Sequence, residues 1–325
     1  MTLQSRGLVI GKFMPPHKGH VHLIDFARRY VEHLTVVVES VANEPIPSPL
    51  RYGWMQEIAH GCRVHHLTTH HPQDPSEHPD FWGLWTRTLR GICPDGIDYV
   101  FASEAYGVPL AAALQARFVP VDPGRTAVPI SGTAIRTDPM AHWALLPDCV
   151  RPYFVKRVSI FGPESTGKTT LARRLAAHFD TVAVPEYART HLEAQGGALS
   201  AIDMPLIAKG QVAAEAALAR QARRVLFCDT DPLATRVWSE TLYGHCAPEV
   251  QAAITGHAYA LTLLLDVDVP WVDDAVRYLP ENRRAFYLRC RAALEAEGRP
   301  YVEITGSWPS RWHAALKAVE ALFPA

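Results

Sequence analysis

The sequence predicts an α/β protein made of two doubly wound parallel-sheet domains, and three observations predict it. Short apolar runs of strand length alternate with segments of helical character. The alternation restarts once near the middle of the chain. In each half a glycine-containing turn follows the first apolar run and leads into a helix. A length of 325 residues accommodates two domains of roughly 150 residues each.

Taken in order, Leu8-Val9-Ile10 reads as the first strand, followed by a loop and a helix from about His20 to Val31. Leu34 to Glu39 is a β-branched run of the kind buried on both faces of a sheet. Further strands are expected at Tyr99-Val100-Phe101 and Phe118-Val119-Pro120-Val121. Prolines make loops of Asn43 to Pro49 and of His70 to Pro79. The histidines of that region (His65, His66, His70, His71, His78) are irregularly spaced and read as an exposed loop rather than a metal site. The second half opens with the strand Val158-Ser159-Ile160-Phe161 and a helix from Lys168 to His178. Strands follow at Val182–Val184, Val225–Asp229, Ala260–Asp266 and Tyr301–Ile304. The alanine-rich stretch Met204 to Arg223 favours a long helix, and Arg311 to Leu322 is amphipathic. The restart places the boundary between Pro147 and Lys156, giving domains of residues 1–150 and 151–325.

Composition narrows the class. Hydrophobic residues make up 48% and charged residues 20%, enough apolar side chains for a core in each half. With 32 basic and 33 acidic side chains the net charge is -1, which argues against nucleic-acid or membrane partners, since both demand a basic excess. No run of about 18 apolar residues suggests a membrane span. Six cysteines without a CxxC pair suit free thiols in a reducing compartment, so a cytoplasmic protein is expected. The sequence leaves open whether it is a homo-oligomer.

Gly162-Pro163-Glu164-Ser165-Thr166-Gly167-Lys168-Thr169 satisfies G-x-x-x-x-G-K-[ST] between a strand and a helix, the context a phosphate-binding loop requires. Its backbone N–H groups and the helix N-terminus suit a polyphosphate. Lys168 would reach the β- and γ-phosphates, and the Thr169 hydroxyl would sit on Mg²⁺. ATP and Mg²⁺ are therefore the expected cofactors. The short domain, the absence of N-K-x-D and a cluster of Arg277, Arg283 and Arg284 placed as a lid favour a small-molecule kinase. Asp229 and Asp231 follow a strand where a carboxylate commonly holds Mg²⁺. Glu186 ends the preceding strand, where it could accept a proton from the hydroxyl being phosphorylated. Either Asp229 or Glu186 could cap a helix instead.

In the first half, Gly11-Lys12-Phe13-Met14-Pro15-Pro16-His17-Lys18-Gly19-His20 follows the first strand. Two imidazoles at a helix start can donate to phosphate oxygens as charge builds during attack on an α-phosphate. No third ligand stands at metal spacing. Ile130-Ser131-Gly132-Thr133-Ala134-Ile135-Arg136 pairs hydroxyls and helix amides with an arginine suited to a triphosphate.

The His17-Lys18-Gly19-His20 and Ser131-to-Arg136 elements resemble the paired signatures of the HxGH nucleotidyltransferases, with a Rossmann-like domain. Gly11-Lys12-Phe13 and Ser103-Glu104 are similar to nicotinamide-mononucleotide adenylyltransferases. The second half resembles ribosylnicotinamide kinases through the phosphate loop, Glu186-Tyr187-Ala188-Arg189, Asp229-Thr230-Asp231 and Pro270 to Arg277. That domain order is similar to the bifunctional NadR family, although some of its members begin with a helix-turn-helix segment that is not seen before Gly7.

The resemblance implies two reactions. Nicotinamide riboside and ATP would give nicotinamide mononucleotide (NMN) at the second site, and NMN with a second ATP would give NAD and pyrophosphate at the first. His17, His20 and Arg136 would stabilise adenylyl transfer, with Gly11, Lys12, Phe13, Gly19, Ser131 and Thr133 around the nucleotide. Lys168 would serve the kinase with Gly162, Glu164, Ser165, Thr166, Gly167, Thr169, Thr170 and Arg277. Glu186 or Asp229 would be the kinase base, and Thr169 with Asp229 the metal holders. Substrate contacts fall on Ser103, Glu104, Arg189 and Asp231. Trp271 would stack on the cationic pyridine ring, with Trp82 and Trp85 as counterparts in the first domain, although ordinary packing would explain all three. Two alternatives stand beside this reading. One is a related transferase–kinase fusion acting on another nucleoside, and the other is a nucleotide-sensing regulator.

Overall fold

The computed structural model describes residues 4–272 and 282–323. The chain divides into two compact units, Met1–Val150 and Arg151–Ala325.

The first unit runs β1 (Arg6–Gly11), α1 (Lys18–Tyr30), β2 (His33–Glu39), α2 (Ser48–Ile58), β3 (Arg63–Leu67), α3 (Phe81–Ile92), β4 (Tyr99–Ala102), α4 (Gly107–Leu114), β5 (Arg117–Pro120) and α5 (Gly132–Thr137). Its sheet has the order β3-β2-β1-β4-β5, with every pairing parallel. Alternate residues of β1 serve opposite faces. Leu8 and Ile10 join a core with Trp85, Leu89 and Leu110 of α3 and α4, whereas Val9 packs with Leu23, Ile24 and Met55 of α1 and α2. Burial on both faces is why such strands read as continuous apolar runs. The order reverses beside β1, and a doubly wound sheet leaves its binding crevice there, beyond the carboxyl ends of the strands.

The second unit runs α6 (Arg151–Phe154), β6 (Lys156–Phe161), α7 (Lys168–His178), β7 (Ala183–Val184), α8 (Tyr187–Ala194), α9 (Asp203–Ala219), β8 (Val225–Asp229), α10 (Pro232–Tyr243), α11 (Pro248–Thr255), β9 (Leu261–Leu265), α12 (Arg283–Ala296), β10 (Tyr301–Ile304) and α13 (Trp308–Glu320). The sheet order is β10-β9-β6-β8-β7, again parallel, and reverses at β6. Val158 and Ile160 face α7 and α13, while Phe161 and Leu264 face α9, α10 and α12. Each such side chain contributes about 1.5–3 kcal/mol on burial. No helix among the described residues is long and apolar enough to cross a membrane.

Three local expectations need correcting. His65 and His66 do not lie in an exposed loop. They belong to β3, where His66 stacks on Tyr52 with ring centroids 4.8 Å apart and pairs with the Ser40 hydroxyl. His71 is buried, with Nδ1 on the Thr69 carbonyl and Nε2 on the Thr88 hydroxyl. Polar edges on half-buried imidazoles concealed the strand periodicity. Ser48 and Pro49 open α2 rather than end a loop, because a proline in the first turn sacrifices no helical hydrogen bond. Arg283 and Arg284 begin α12 instead of a lid turn.

Candidate active sites

In the first unit a crevice of about 830 Å³ opens at the reversal of strand order. The loop after β1 and the start of α1 supply Gly11, Lys12, Phe13, His17, Gly19 and His20 to it. Ser103 and Glu104 enter after β4, and Ser131, Thr133 and Arg136 enter from α5. The two motifs, 110 residues apart in sequence, thus line one cavity.

His17 is the N-cap of α1 and is 6% exposed. Its ring stacks on His20 with centroids 3.7 Å apart, and His20 Nδ1 accepts from the His17 backbone N–H at 3.3 Å. His17 Nδ1 is buried without a hydrogen-bond partner. A Cβ on Gly19 would lie 3.0 Å from that imidazole, so the glycine makes room for the His17 ring. Burial, and then the charge of Arg125, lower His17 to about pKa 4. Burial, followed by the charges of His17 and Arg125, holds His20 well below the usual histidine range. Both rings are neutral near pH 7. Each can therefore donate one N–H to a phosphate oxygen, and each gains proton affinity as negative charge arrives.

Ser131 caps α5 through a 3.1 Å bond from the Ala134 N–H. Arg136 donates to the Met14 carbonyl and, at 3.1 Å, to the Thr133 hydroxyl, which ties α5 to the histidine loop. Glu104 accepts from Arg125 at 3.1 Å. Trp82 and Trp85 both line the crevice. Trp85 is a buried wall whose Nε1 donates to the Pro72 carbonyl at 3.1 Å.

Three features of this crevice escaped the sequence reading. Arg125 is one of its lining cations; its loop is held by Asp122, which accepts from the N–H groups of Thr126, Ala127 and Val128. A D-P-G-R turn just ahead of the Ser131 motif was the available signal. Glu39 and Gln73 also line the crevice and had no motif to reveal them. Arg51, fully buried, donates to the carbonyls of Lys12, Glu39 (2.9 Å) and Ile46 (3.1 Å) and pairs with Glu44. It braces the loop that carries Lys12 and Phe13.

In the second unit the turn after β6 curls over a cavity of about 170 Å³ lined by Glu164, Ser165, Thr166, Gly167, Lys168, Thr169 and Thr170. Gly162 stands at φ +132°, and a Cβ there would meet the Leu265 carbonyl at 2.7 Å, so only glycine lets the loop pass the end of β9. The Thr166 hydroxyl and Lys168 Nζ donate to the Pro163 carbonyl at 2.8 and 2.9 Å. Arg283 donates to the Ser165 carbonyl at 3.0 Å. Buried Arg311 donates to the Thr166 carbonyl at 3.2 Å and pairs with Asp268. These two arginines act on the loop's backbone, and nothing local in sequence marks Arg311 for that task.

Asp229, 1% exposed at the end of β8, accepts the Thr169 hydroxyl on Oδ2 at 2.5 Å, while Oδ1 is buried without a hydrogen-bond partner. Burial raises its carboxyl against the opposing charge of Lys168. Glu186 is the N-cap residue of α8 but makes no side-chain cap bond; it lines the cavity with Arg189. Burial raises Glu186 to about pKa 6, with Lys168 pulling it down and Asp229 pushing it up.

Asp231 departs from the sequence reading. One oxygen caps α10 by accepting from the Leu233 and Ala234 N–H groups, the other pairs with Arg299 at 2.7 Å, and the residue lies outside the cavity lining. Trp271 is likewise absent from the lining, and the Arg283 guanidinium stands 5.7 Å from its ring. The indole in the cavity wall is Trp238 of α10, packed on Phe286 at 4.2 Å. Arg277 lies outside the described residues.

Residues 8–138 match the cytidylyltransferase-like family, and residues 157–311 match the AAA domain family. The trifunctional NAD biosynthesis/regulator protein NadR of Escherichia coli (strain K12) is 31% identical over 323 residues, covering 92% of this chain and 78% of that protein. Its counterpart in Salmonella typhimurium (strain LT2) is 31% identical over 303 residues, covering 86% and 74%. A solved NadR structure in complex with NR matches 99% of this chain and 96% of its own, at a TM-score of 0.83 and 24% identity. A second, with NAD and AMP-PNP, covers 98% and 96% at a TM-score of 0.78 and 24% identity.

Proposed function

The chain belongs to the NadR family, and from that premise we propose that it is a bifunctional enzyme of NAD synthesis. Its second unit phosphorylates nicotinamide riboside with ATP, and its first joins the resulting NMN to the adenylyl group of a second ATP. The observation that carries this reading is the pairing of two phosphate-directed crevices in one chain. One holds His17, His20 and Arg136, and the other holds Lys168, Thr169 and Glu186.

At the first site the NMN phosphate oxygen attacks the α-phosphorus of ATP, and the bond to the bridging oxygen breaks to release pyrophosphate. The nucleophile is already an anion, so no base is required. His17 and His20 donate hydrogen bonds to the oxygens that gain charge, while Arg136 and Arg125 neutralise the polyphosphate. At the second site the riboside 5′-hydroxyl attacks the γ-phosphorus, its proton passes to the Glu186 carboxylate, and ADP leaves. A carboxyl near pKa 6 is ionised at neutral pH and is still basic enough to receive that proton. Lys168 then turns from the Pro163 carbonyl to the phosphates.

The residues present fit Mg²⁺. The unpartnered buried oxygen of Asp229 and the adjoining Thr169 hydroxyl form a hard oxygen set. Thr169 and Asp229 would hold the ion, directly or through water, and it would neutralise charge on the polyphosphate. Among the described residues no group of three or more His, Cys, Asp or Glu could hold a metal unaided, so oxygens of the bound nucleotide would have to supply further ligands. All six cysteines are free thiols, which suits a cytoplasmic enzyme.

The direct test is to incubate the purified chain with nicotinamide riboside, ATP and Mg²⁺ and to resolve the products by chromatography. NAD with matched ADP and pyrophosphate is the expected result. Accumulation of NMN alone would remove the assignment of the first unit. No product, even from supplied NMN, would remove the whole reading.

A further inference from the structure

The proposed kinase reaction engages two carboxylates that come from remote segments. Glu186 stands at the start of α8 and Asp229 at the end of β8, and α9 packs against both elements. Glu186 leads α8 without capping it, so its carboxylate goes where the backbone of that first turn carries it. Two adjacent residues of α9 hold the turn. Gln211, 2% exposed, accepts the Tyr187 N–H on Oε1 at 3.0 Å, and so satisfies one of the donors a helix N-terminus leaves open. Gly210 makes room for the Tyr187 ring: a Cβ there would lie 2.0 Å from its Cε1 and 2.3 Å from its Cδ1. A glycine inside a helix weakens it, and here the close approach of the ring accounts for one.

The amide nitrogen of Gln211 faces the other segment. It donates to the Thr230 carbonyl at 3.4 Å and to Glu215 Oε1, one turn on in α9, at 3.5 Å. A reversed amide would set its NH₂ against the Tyr187 N–H and its oxygen against two acceptors, so one orientation alone satisfies the set. Thr230 directly follows Asp229, lines the cavity and stands at φ +69°, a left-handed conformation rare for a β-branched residue. Such a backbone persists where its surroundings over-determine it. The Thr230 N–H donates to the Ile160 carbonyl at 3.1 Å, and its own carbonyl is held by Gln211. Glu215 is fully buried and takes the Tyr259 hydroxyl on the same Oε1 at 2.7 Å, so the far end of the amide is itself anchored.

Resting on the proposed riboside phosphorylation, we infer that Gln211 is a positioning residue of the kinase. Its one amide spans from the residue after Glu186 to the residue after Asp229, and so fixes the proposed base relative to the carboxylate that takes the Thr169 hydroxyl. The reacting hydroxyl must lie within hydrogen-bond reach of the base and in line with the γ-phosphorus, and a displacement of about 1 Å costs about 10²-fold.

The experiment measures kcat and both KM values for riboside phosphorylation in the full chain, in Gln211→Leu and in Gly210→Ala, each also combined with Glu186→Gln. Circular dichroism melts and the KM for ATP report the fold of the second unit. Gln211→Leu is expected to lower kcat by about 10–100-fold with both KM values within about twofold. Beside Glu186→Gln, where no base remains to be placed, the same substitution is expected to cost less than about threefold. Gly210→Ala, outside the cavity lining, pushes on the Tyr187 ring and leaves the Gln211 side chain intact. It keeps the inference testable should Gln211→Leu fail to fold, and the same pattern of loss is expected from it. The inference is overturned by wild-type kcat in these variants, or by a loss carried by the KM for the riboside, which would make Gln211 a substrate contact. It is equally overturned by the same loss with and without the Glu186 carboxylate, which would make the amide merely structural. Wild-type kcat in Glu186→Gln alone would overturn the base assignment and this inference with it, whereas a wild type that makes no NMN would overturn the kinase reading itself.

Discussion

Replacing Glu186 by Gln should slow the kinase and stabilise the protein together, because one half-buried carboxylate underlies both properties. Burial raises this carboxyl from its ordinary 4.5 to about 6. As the base it must be ionised, so kcat/KM for riboside phosphorylation should rise through about pH 6 and level off above it. At pH 5 about one tenth of the enzyme would carry the ionised form, a loss of about tenfold. Glu186→Gln should lower the plateau by about 10²–10⁴-fold and remove the acid limb. The stability effect has the opposite sign. A carboxyl whose folded pKa is raised favours the folded state below its unfolded pKa, and that contribution is lost as pH rises through about 6. Above pH 7 the ionised Glu186 therefore destabilises the fold by about 2 kcal/mol at most. Glu186→Gln should then melt higher by a few degrees at pH 8 and equal the wild type near pH 4, as followed by circular dichroism. A variant that keeps wild-type kinase activity, or an acid limb near pH 4 in the wild type, would refute the assignment of the base. A stability difference independent of pH would refute the burial argument.

Four other outcomes are expected. His20→Ala should cut NAD formation from NMN by about 10²–10³-fold while riboside phosphorylation stays intact, and Lys168→Ala should do the reverse. Paired assays on one preparation separate these losses from misfolding. Thr169→Ala should raise the Mg²⁺ concentration needed for half-maximal kinase activity, read from a Mg²⁺ titration at fixed ATP, because the hydroxyl on Asp229 Oδ2 would be lost. Arg51→Ala should destabilise the first unit by about 3–5 kcal/mol in chemical denaturation, since it leaves the buried Glu44 carboxylate with only Lys12 at 3.9 Å and takes the donor from the Lys12, Glu39 and Ile46 carbonyls. Stripping divalent cations with EDTA should abolish kinase turnover, and restoring Mg²⁺ should recover it.

The fold class was legible because both sheets bury two faces, and that prints uninterrupted apolar runs such as Val36-Val37-Val38 and Leu263-Leu264-Leu265. The residues proposed to meet phosphate were legible for a different reason. A glycine-rich turn between a strand and a helix is a local device, so His17 to His20 and Gly162 to Thr169 carry their signal in consecutive residues. The strand β3 was missed because its polar residues are half-buried side chains with partners of their own, as His66 has in Tyr52 and Ser40.

What only the tertiary structure decided are matters of distance between remote segments. Periodicity cannot show that Asp229 takes the Thr169 hydroxyl while Asp231, two residues on, is committed to a helix cap and Arg299. Nor can it show that Trp238 rather than Trp271 lines the kinase cavity, since packing decides which indole faces the open space. Arg125, Glu39 and Gln73 belong to no motif, and they become site residues only because a parallel sheet gathers the carboxyl ends of its strands around one crevice. The sequence by itself determined the two sheets and the two glycine-containing loops that lead into helices, because those are encoded by residues near one another in the chain. The gathering of Arg125, Glu39 and Gln73 at the first crevice and the protonation of Glu186 depend on which distant groups are brought together and which are removed from water, and folding alone makes that choice.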